Sequence, residues 1–173
     1  MSRIQFVVFD WGDTLMRDLP EFAGHGAMVY WPRVELCPGA IEALHAMHGR
    51  RVCCVASNAG DSDAHLMGLA LERVGIGRFF DHLWTSKELG AAKPDPAFFE
   101  AILDRLQAEP HACVMVGNDY QKDIVSAKSA GLWTVWLAPA SVATAAAADA
   151  IIYSLGDLDT AIERLAAGPE ALP

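Results

Sequence analysis

Short, nearly unbroken apolar runs alternate along this chain with stretches in which apolar residues recur every three or four positions. Ile4–Phe9, Val52–Ala56, Ala112–Val116 and Trp133–Ala138 are the apolar runs. Strands of this kind are buried on both faces, as in a parallel sheet. Phe79–Thr85 is a weaker strand candidate, and Ala150–Tyr153 a short edge strand. Between them, Phe99, Ile102, Leu103 and Leu106 follow a helical period behind an Asp95-Pro96 start. Pro38 opens a helix with Ile41, Leu44 and Met47 inward; Leu66, Leu69, Ala70 and Val74 mark another that stops at Gly75. Ile124 and Ala127 belong to a helix ending at Gly131, and Ile162 and Leu165 to a last one starting near Asp157. The alanine-rich stretch Ala143–Ala150 reads as a short helix or loop. Strand–helix alternation at these lengths predicts βαβ units and an open, doubly wound α/β sheet over one domain, residues 1–173.

Residues 16–36 break the alternation. They carry Pro20, Gly24, Gly26 and Pro32 without a period, are long for a plain connection and short for a domain. They are expected to form a flap beside the carboxyl edge of the sheet. His25, Tyr30, Trp31 and Arg33 lie in it and are read as solvated or self-packed, with Trp11 packing beneath. His45, His48 and His65 are placed on helix surfaces, and Trp133 and Trp136 in core or edge packing.

Ligands of open α/β sheets bind outside the carboxyl ends of the strands. Asp10-Trp11-Gly12-Asp13-Thr14 follows the first run, and Ser57-Asn58-Ala59-Gly60 the second. Lys93-Pro94-Asp95-Pro96 comes after the third, and Gly117-Asn118-Asp119 with Lys122-Asp123 after the fourth. Each set alone is ordinary turn or helix-cap chemistry. Together they bring carboxylates, a hydroxyl, an amide and a lysine to one edge. Oxygen donors without histidine or thiolate favour a hard cation, Mg²⁺ above all. A lysine and a serine beside such a site suit a phosphoryl group.

Composition narrows the classes. The chain is 173 residues long, 53% hydrophobic and 20% charged, with a net charge of −9. That excludes a disordered tail, and an acidic surface argues against nucleic-acid or anionic-membrane partners. No apolar stretch approaches the roughly 20 residues of a spanning helix. Met1-Ser2-Arg3 before the first run lacks a secretory h-region. Cys37, Cys53, Cys54 and Cys113 have no metal-ligand spacing, and adjacent Cys53 and Cys54 point to opposite strand faces. Reduced thiols in a core imply the cytoplasm.

FDWGDTL, VASNAG, KPDPAFF and VGNDYQKDIVSAKSAG resemble, in order, the four motifs of the haloacid dehalogenase-like hydrolase superfamily, from about Ile4 to Tyr153. The resemblance implies a three-layer, Rossmann-like fold with central strand order 3-2-1-4-5 and no large cap domain. It implies that Asp10 is a nucleophile forming an aspartyl-phosphate, that Ser57, with neighbouring Asn58, binds phosphoryl oxygens, and that Lys93 steadies both charges. It also implies that Asp119 and Asp123 hold or orient Mg²⁺, together with the Asp10 carboxylate and the Gly12 carbonyl. The expected function is a Mg²⁺-dependent phosphatase acting on a phosphorylated substrate, small or larger. An open site calls for such a substrate or for a neighbouring subunit in a homo-oligomer to exclude water.

Two positions depart from the family pattern. Family phosphatases read Asp-x-Asp-Gly-Thr, the second Asp being the acid/base; this chain has Gly12 there and Asp13 one residue later. In the fourth motif Asn118 intervenes, leaving either Asp119 or the neutral Asn118 at the metal; Asp119 is preferred for its spacing to Asp123. Asp13 is carried as the candidate acid. A catalytically weak or inactive phosphate- or protein-binding module is the alternative, and a receiver-like phosphoacceptor ranks third.

Overall fold

The computed structural model of the chain describes residues 4–168. Both ends of the expected domain, including Met1-Ser2-Arg3, lie outside the described residues. Six strands form one sheet: β1 (Phe6–Phe9), β2 (Val52–Ser57), β3 (His82–Thr85), β4 (Cys113–Gly117), β5 (Trp133–Leu137) and β6 (Ala150–Ile152). Their order is β3-β2-β1-β4-β5-β6, with every pairing parallel. The expected central order holds, and β6 adds the sixth strand at the edge. Parallel strands cannot be joined by tight hairpins, so each connection crosses over a face, and the helices cover both faces.

Successive side chains of a strand face opposite ways, which divides the core in two. Val7, Phe9, Cys53, Val55, Val114 and Val116 share one cluster with α1 (Ala40–Met47), α2 (Ala64–Arg73) and α6 (Leu158–Ala167). Val8, Cys54, Ala56, Cys113 and Met115 share the other with α3 (Ser86–Leu89), α4 (Pro96–Leu106) and α5 (Ser126–Ser129). The neighbours Cys53 and Cys54 lie on opposite faces, as strand geometry requires.

Two inward assignments are corrected. Ile41 and Leu69 are exposed, at 43% and 37%. In α1 the buried stripe is Ala40, Ala43, Leu44 and Met47, an i, i+3, i+4, i+7 spacing that leaves Ile41 on the solvent side. In α2 it is Met67, Ala70 and Leu71. Residues 143–149 are a loop, tied to β5 where the Thr134 hydroxyl donates to the Ala147 carbonyl at 2.7 Å.

The segment between β1 and α1 folds on itself through two 3₁₀ turns, Pro20–Phe22 and Met28–Tyr30. Trp31 packs on Phe22, and Arg33 bridges Glu21 and Glu35. Arg73 of α2 donates to the Val29 and Trp31 carbonyls at 2.7 and 2.8 Å, fastening the flap to the body. Among the described residues no helix is long and apolar enough to cross a membrane.

Candidate active site

The carboxyl ends of β1, β2 and β4 and the loop before α4 surround a cleft of about 390 Å³. Asp10, Ser57, Lys93, Asn118 and Asp123 line it, and Trp31 with residues 26–28 of the flap closes one side. The flap therefore borders the site, beyond the self-packing expected of it.

Lys93 is the centre of the arrangement. Its ammonium donates to Asp10 Oδ1 at 2.7 Å, to Asp123 Oδ1 at 2.6 Å and to the Ala56 carbonyl at 3.4 Å. Three protons meet three acceptors, which is what lets a charged side chain only 2% exposed persist in the interior. Burial pulls the Lys93 pKa down, but the two carboxylates outweigh it and the net direction is up. Asp123 is pushed up, first by burial and then by Asp10, against the pull of Lys93. A buried carboxylate pair sharing one cation behaves this way.

Asp10 follows β1, where its N–H donates to the Val116 carbonyl at 2.9 Å. With Oδ1 held by Lys93, its Oδ2 is left to the cleft. Asp123 is delivered by a π-helical turn, Tyr120–Val125, that follows β4. Such wide turns recur at functional sites. Asp123 Oδ2 accepts from the Asp119 N–H at 3.0 Å and lies so close to Gly117 that a Cβ there would meet it at 2.2 Å. Glycine at the end of β4 is thus a requirement of approach.

Other candidates have more specific employment than their residue types revealed. The Asn58 amide is paired twice with the Lys93 main chain: Nδ2 donates to the carbonyl at 2.9 Å and Oδ1 accepts from the N–H at 2.8 Å. That fixes the lysine loop against the end of β2 and makes Asn58 a positioning residue. Ser57, 7% exposed, lines the cleft beside it. Asp119 Oδ1 accepts from the Gln121 and Lys122 N–H groups at 3.1 and 3.0 Å, capping the π-helical turn; these bonds hold its pKa down against partial burial. Asn118 Oδ1 accepts from the Thr14 hydroxyl at 3.2 Å, joining the loops after β4 and β1.

Asp13 has a positive φ of 52° and turns its Oδ1 to accept the Asp18 N–H at 3.0 Å. Asp18 has no place among the motifs, yet it lines the same cleft. Loss of hydration raises its pKa, and the carboxylates of Asp13 and Asp10 add to the rise. Its distance from any apolar run hid it. Only the string of acids Asp10, Asp13 and Asp18 hinted at it.

Among the described residues no three His, Cys, Asp or Glu side chains form a ready cluster for a metal ion. Both Asp123 oxygens are committed, and Asp119 is partly so. What remains toward the cleft is one Asp10 oxygen, the Asp18 carboxylate and the free part of Asp119, with neutral oxygens around them. Mg²⁺ is commonly bound through one or two carboxylates plus substrate phosphate and water, so this oxygen-only set fits it.

The sequence model of the haloacid dehalogenase-like hydrolase family matches residues 21–131. A ribulose-1,5-bisphosphate 5-phosphatase of Halopiger xanaduensis is 32% identical over 75% of this chain and 57% of its own length. The pyrimidine 5'-nucleotidase YjjG of Escherichia coli is 34% identical over 60% of this chain and 46% of its own. The chain thus spans about half the length of these curated relatives. A protein from Listeria monocytogenes superposes over 92% of this chain and 97% of its own, with a TM-score of 0.79 and 27% identity. The putative HAD-hydrolase YfnB of Bacillus subtilis, solved with magnesium, shares the fold at a TM-score of 0.74 and 14% identity, over 94% of this chain. With most of its length matched by the family and its sheet order shared, this chain belongs to the haloacid dehalogenase-like hydrolases.

Proposed function

We propose that this protein is a Mg²⁺-dependent phosphatase that works through an aspartyl-phosphate on Asp10. The observation that carries the reading is the Lys93 bridge: a buried cation fixed between the carboxylate ending β1 and the carboxylate after β4. The family match begins beyond Asp10, so that residue's role rests on its place at the end of β1. The similar pyrimidine 5'-nucleotidase and ribulose-1,5-bisphosphate 5-phosphatase support phosphate monoesters as the substrate class.

Asp10 Oδ2 attacks phosphorus as the ester P–O bond breaks, with Oδ1 held off by Lys93. Water then attacks the same phosphorus and releases inorganic phosphate, so that one hydrolysis becomes two easier steps. The Ser57 hydroxyl and the Lys93 ammonium receive phosphoryl oxygens. Asp10 and the Gly12 carbonyl would hold Mg²⁺ with Asp119 or, in its place, Asn118, oriented by Asp123; when bound, the ion neutralises phosphoryl charge. A cleft of about 390 Å³ takes a phosphoryl group with a small organic portion.

Gly12 in place of an acid and Asn118 in place of a carboxylate favour one other reading, a binding module that keeps the fold without turnover. Hydrolysis of p-nitrophenyl phosphate and of small alkyl phosphates, with and without Mg²⁺, separates the two. Wild-type turnover lost on adding EDTA and lost in Asp10→Asn supports the phosphatase. Turnover that survives in Asp10→Asn rules the mechanism out.

A further inference from the structure

Position 12 is a glycine, and the space its side chain would fill is occupied. A Cβ built on Gly12 would lie 2.6 Å from Asp18 Oδ2, 3.0 Å from its Cγ and 3.2 Å from its Oδ1. From bonds of about 1.5 and 1.2 Å, an aspartate's carboxylate oxygens stand about 2.4 Å from their own Cβ. The Asp18 carboxylate, its Cγ 3.0 Å from that Cβ where a residue-12 aspartate would have its own at about 1.5 Å, therefore stands beside the space a side chain at position 12 would enter and blocks it, reached from six residues further along the chain. Gly12 does not have a positive φ, so its backbone does not demand glycine. The missing side chain is what leaves room for Asp18.

The loop that brings Asp18 back is built for it. Asp13 takes a left-handed conformation and its Oδ1 accepts the Asp18 N–H at 3.0 Å. The Asp13 N–H donates to the Met16 carbonyl at 2.6 Å, and Leu15 and Met16 donate back to the Trp11 carbonyl. Trp11, Leu15 and Met16 are buried, so the tight turn has a fixed base. Asp10, Gly12, Asp13 and Asp18 then line one cleft.

We propose that Asp18 supplies the acid/base carboxylate that position 12 lacks, and that Asp13 is the residue that positions it. This rests on the phosphatase reading above. In the first step the Asp10 Oδ2–P bond forms and the P–O bond to the alcohol breaks, while the Asp18 carboxyl gives its proton to the leaving oxygen. In the second step the Asp18 carboxylate takes a proton from the attacking water. The Asp10–phosphorus link breaks, inorganic phosphate leaves, and both aspartates regain their starting forms.

The test uses leaving groups of different basicity and moves the carboxylate between positions. A positioned acid contributes about 10²–10⁴-fold where the leaving group needs a proton. Asp18→Asn is expected to lower kcat on alkyl phosphates within that range, while p-nitrophenyl phosphate, whose phenolate leaves unprotonated, falls less than about tenfold. Asp13→Asn is expected to give a smaller, same-direction loss. In an Asp18→Ala background, Gly12→Asp returns a carboxylate to the adjoining space in the same cleft and is expected to recover at least about tenfold on alkyl esters. Thermal melts of all variants accompany the rates. Equal losses on both ester types, no rescue by Gly12→Asp in a variant that melts normally, or a silent Asp18→Asn each overturn the proposal while the phosphatase reading stands. Alkyl-ester turnover lost in Asp13→Asn but kept in Asp18→Asn gives the acid to Asp13 instead. If wild type hydrolyses no ester, the phosphatase reading fails and this proposal with it.

Discussion

Lys93 shows how much of a site can depend on one side chain. The ammonium is buried between Asp10 and Asp123, and removing one member of a buried ion pair leaves the rest uncompensated. Lys93→Met is close in length and apolar, so it tests charge rather than volume. In metal-free buffer at pH 8 it should lose about 3–5 kcal/mol, the usual cost of breaking a buried pair. The sign of its pH dependence follows from Asp123, which burial and Asp10 push up and which loses the opposing pull of Lys93 in this variant. Its folded pKa stands above its unfolded value, so folding favours the protonated form. Stability should return as pH falls toward 5 and fade as pH rises through the raised value, opposite to an ordinary acid-labile protein. Urea titrations across pH 5–8 read this directly. A variant as stable as wild type at pH 8 would show that Asp10 and Asp123 do not depend on the lysine.

At the scale of elements, short helices and turns place the functional groups, and their caps hold them there. α3 has only four residues, and its capping box does more than start it. Glu88 Oε2 accepts from the Thr85 N–H and hydroxyl at 2.8 and 2.6 Å, while Oε1 accepts from the Ala64 N–H at 3.2 Å. One carboxylate thus joins the end of β3 to the start of α2. Partial burial raises its pKa, but these bonds outweigh that and the net direction is down. Glu88→Ala should cost about 1–2 kcal/mol at pH 7, as cap removal and loss of charged hydrogen bonds do. Because the folded pKa is depressed, that contribution is complete above the ordinary carboxylate range and is lost as pH falls through the lowered value. Wild type and variant should therefore converge in stability near pH 3, as followed by chemical denaturation. A gap unchanged between pH 7 and pH 3 would mean that Glu88 contributes packing rather than charge.

For the molecule as a whole, the core was legible and the fine geometry of the site only in part. Unbroken apolar runs marked the strands because both faces of a parallel sheet are covered, and the residue after each run marked the edge where Asp10, Ser57 and Asp123 meet. What pattern could not carry was direction within loops. Asn58 reads as ligand chemistry yet spends its amide on Lys93, and Asp18 has no periodic signal while its carboxylate blocks the space at Gly12. Ile41 was misplaced because two overlapping stripes fit α1 equally well in sequence. The cysteines test the two-sided core. Cys53 belongs to one face and Cys54 and Cys113 to the other. Burial pushes Cys53 and Cys113 up to about 12 and Cys54 up further. Only the thiolate is a nucleophile, so the native protein should resist iodoacetamide at pH 8 on both faces. Reaction must then wait for opening, and because β1 carries side chains into both clusters, neither face can open while the other stays packed. Alkylation of all three thiols should accelerate together with urea, with a common slope set by global unfolding. Mass spectrometry resolves each site except the adjacent pair, which fragmentation separates. If Cys53 reacts with a shallow urea slope while Cys54 and Cys113 keep a steep one, the α1–α2–α6 layer opens independently and the two faces are not one cooperative unit.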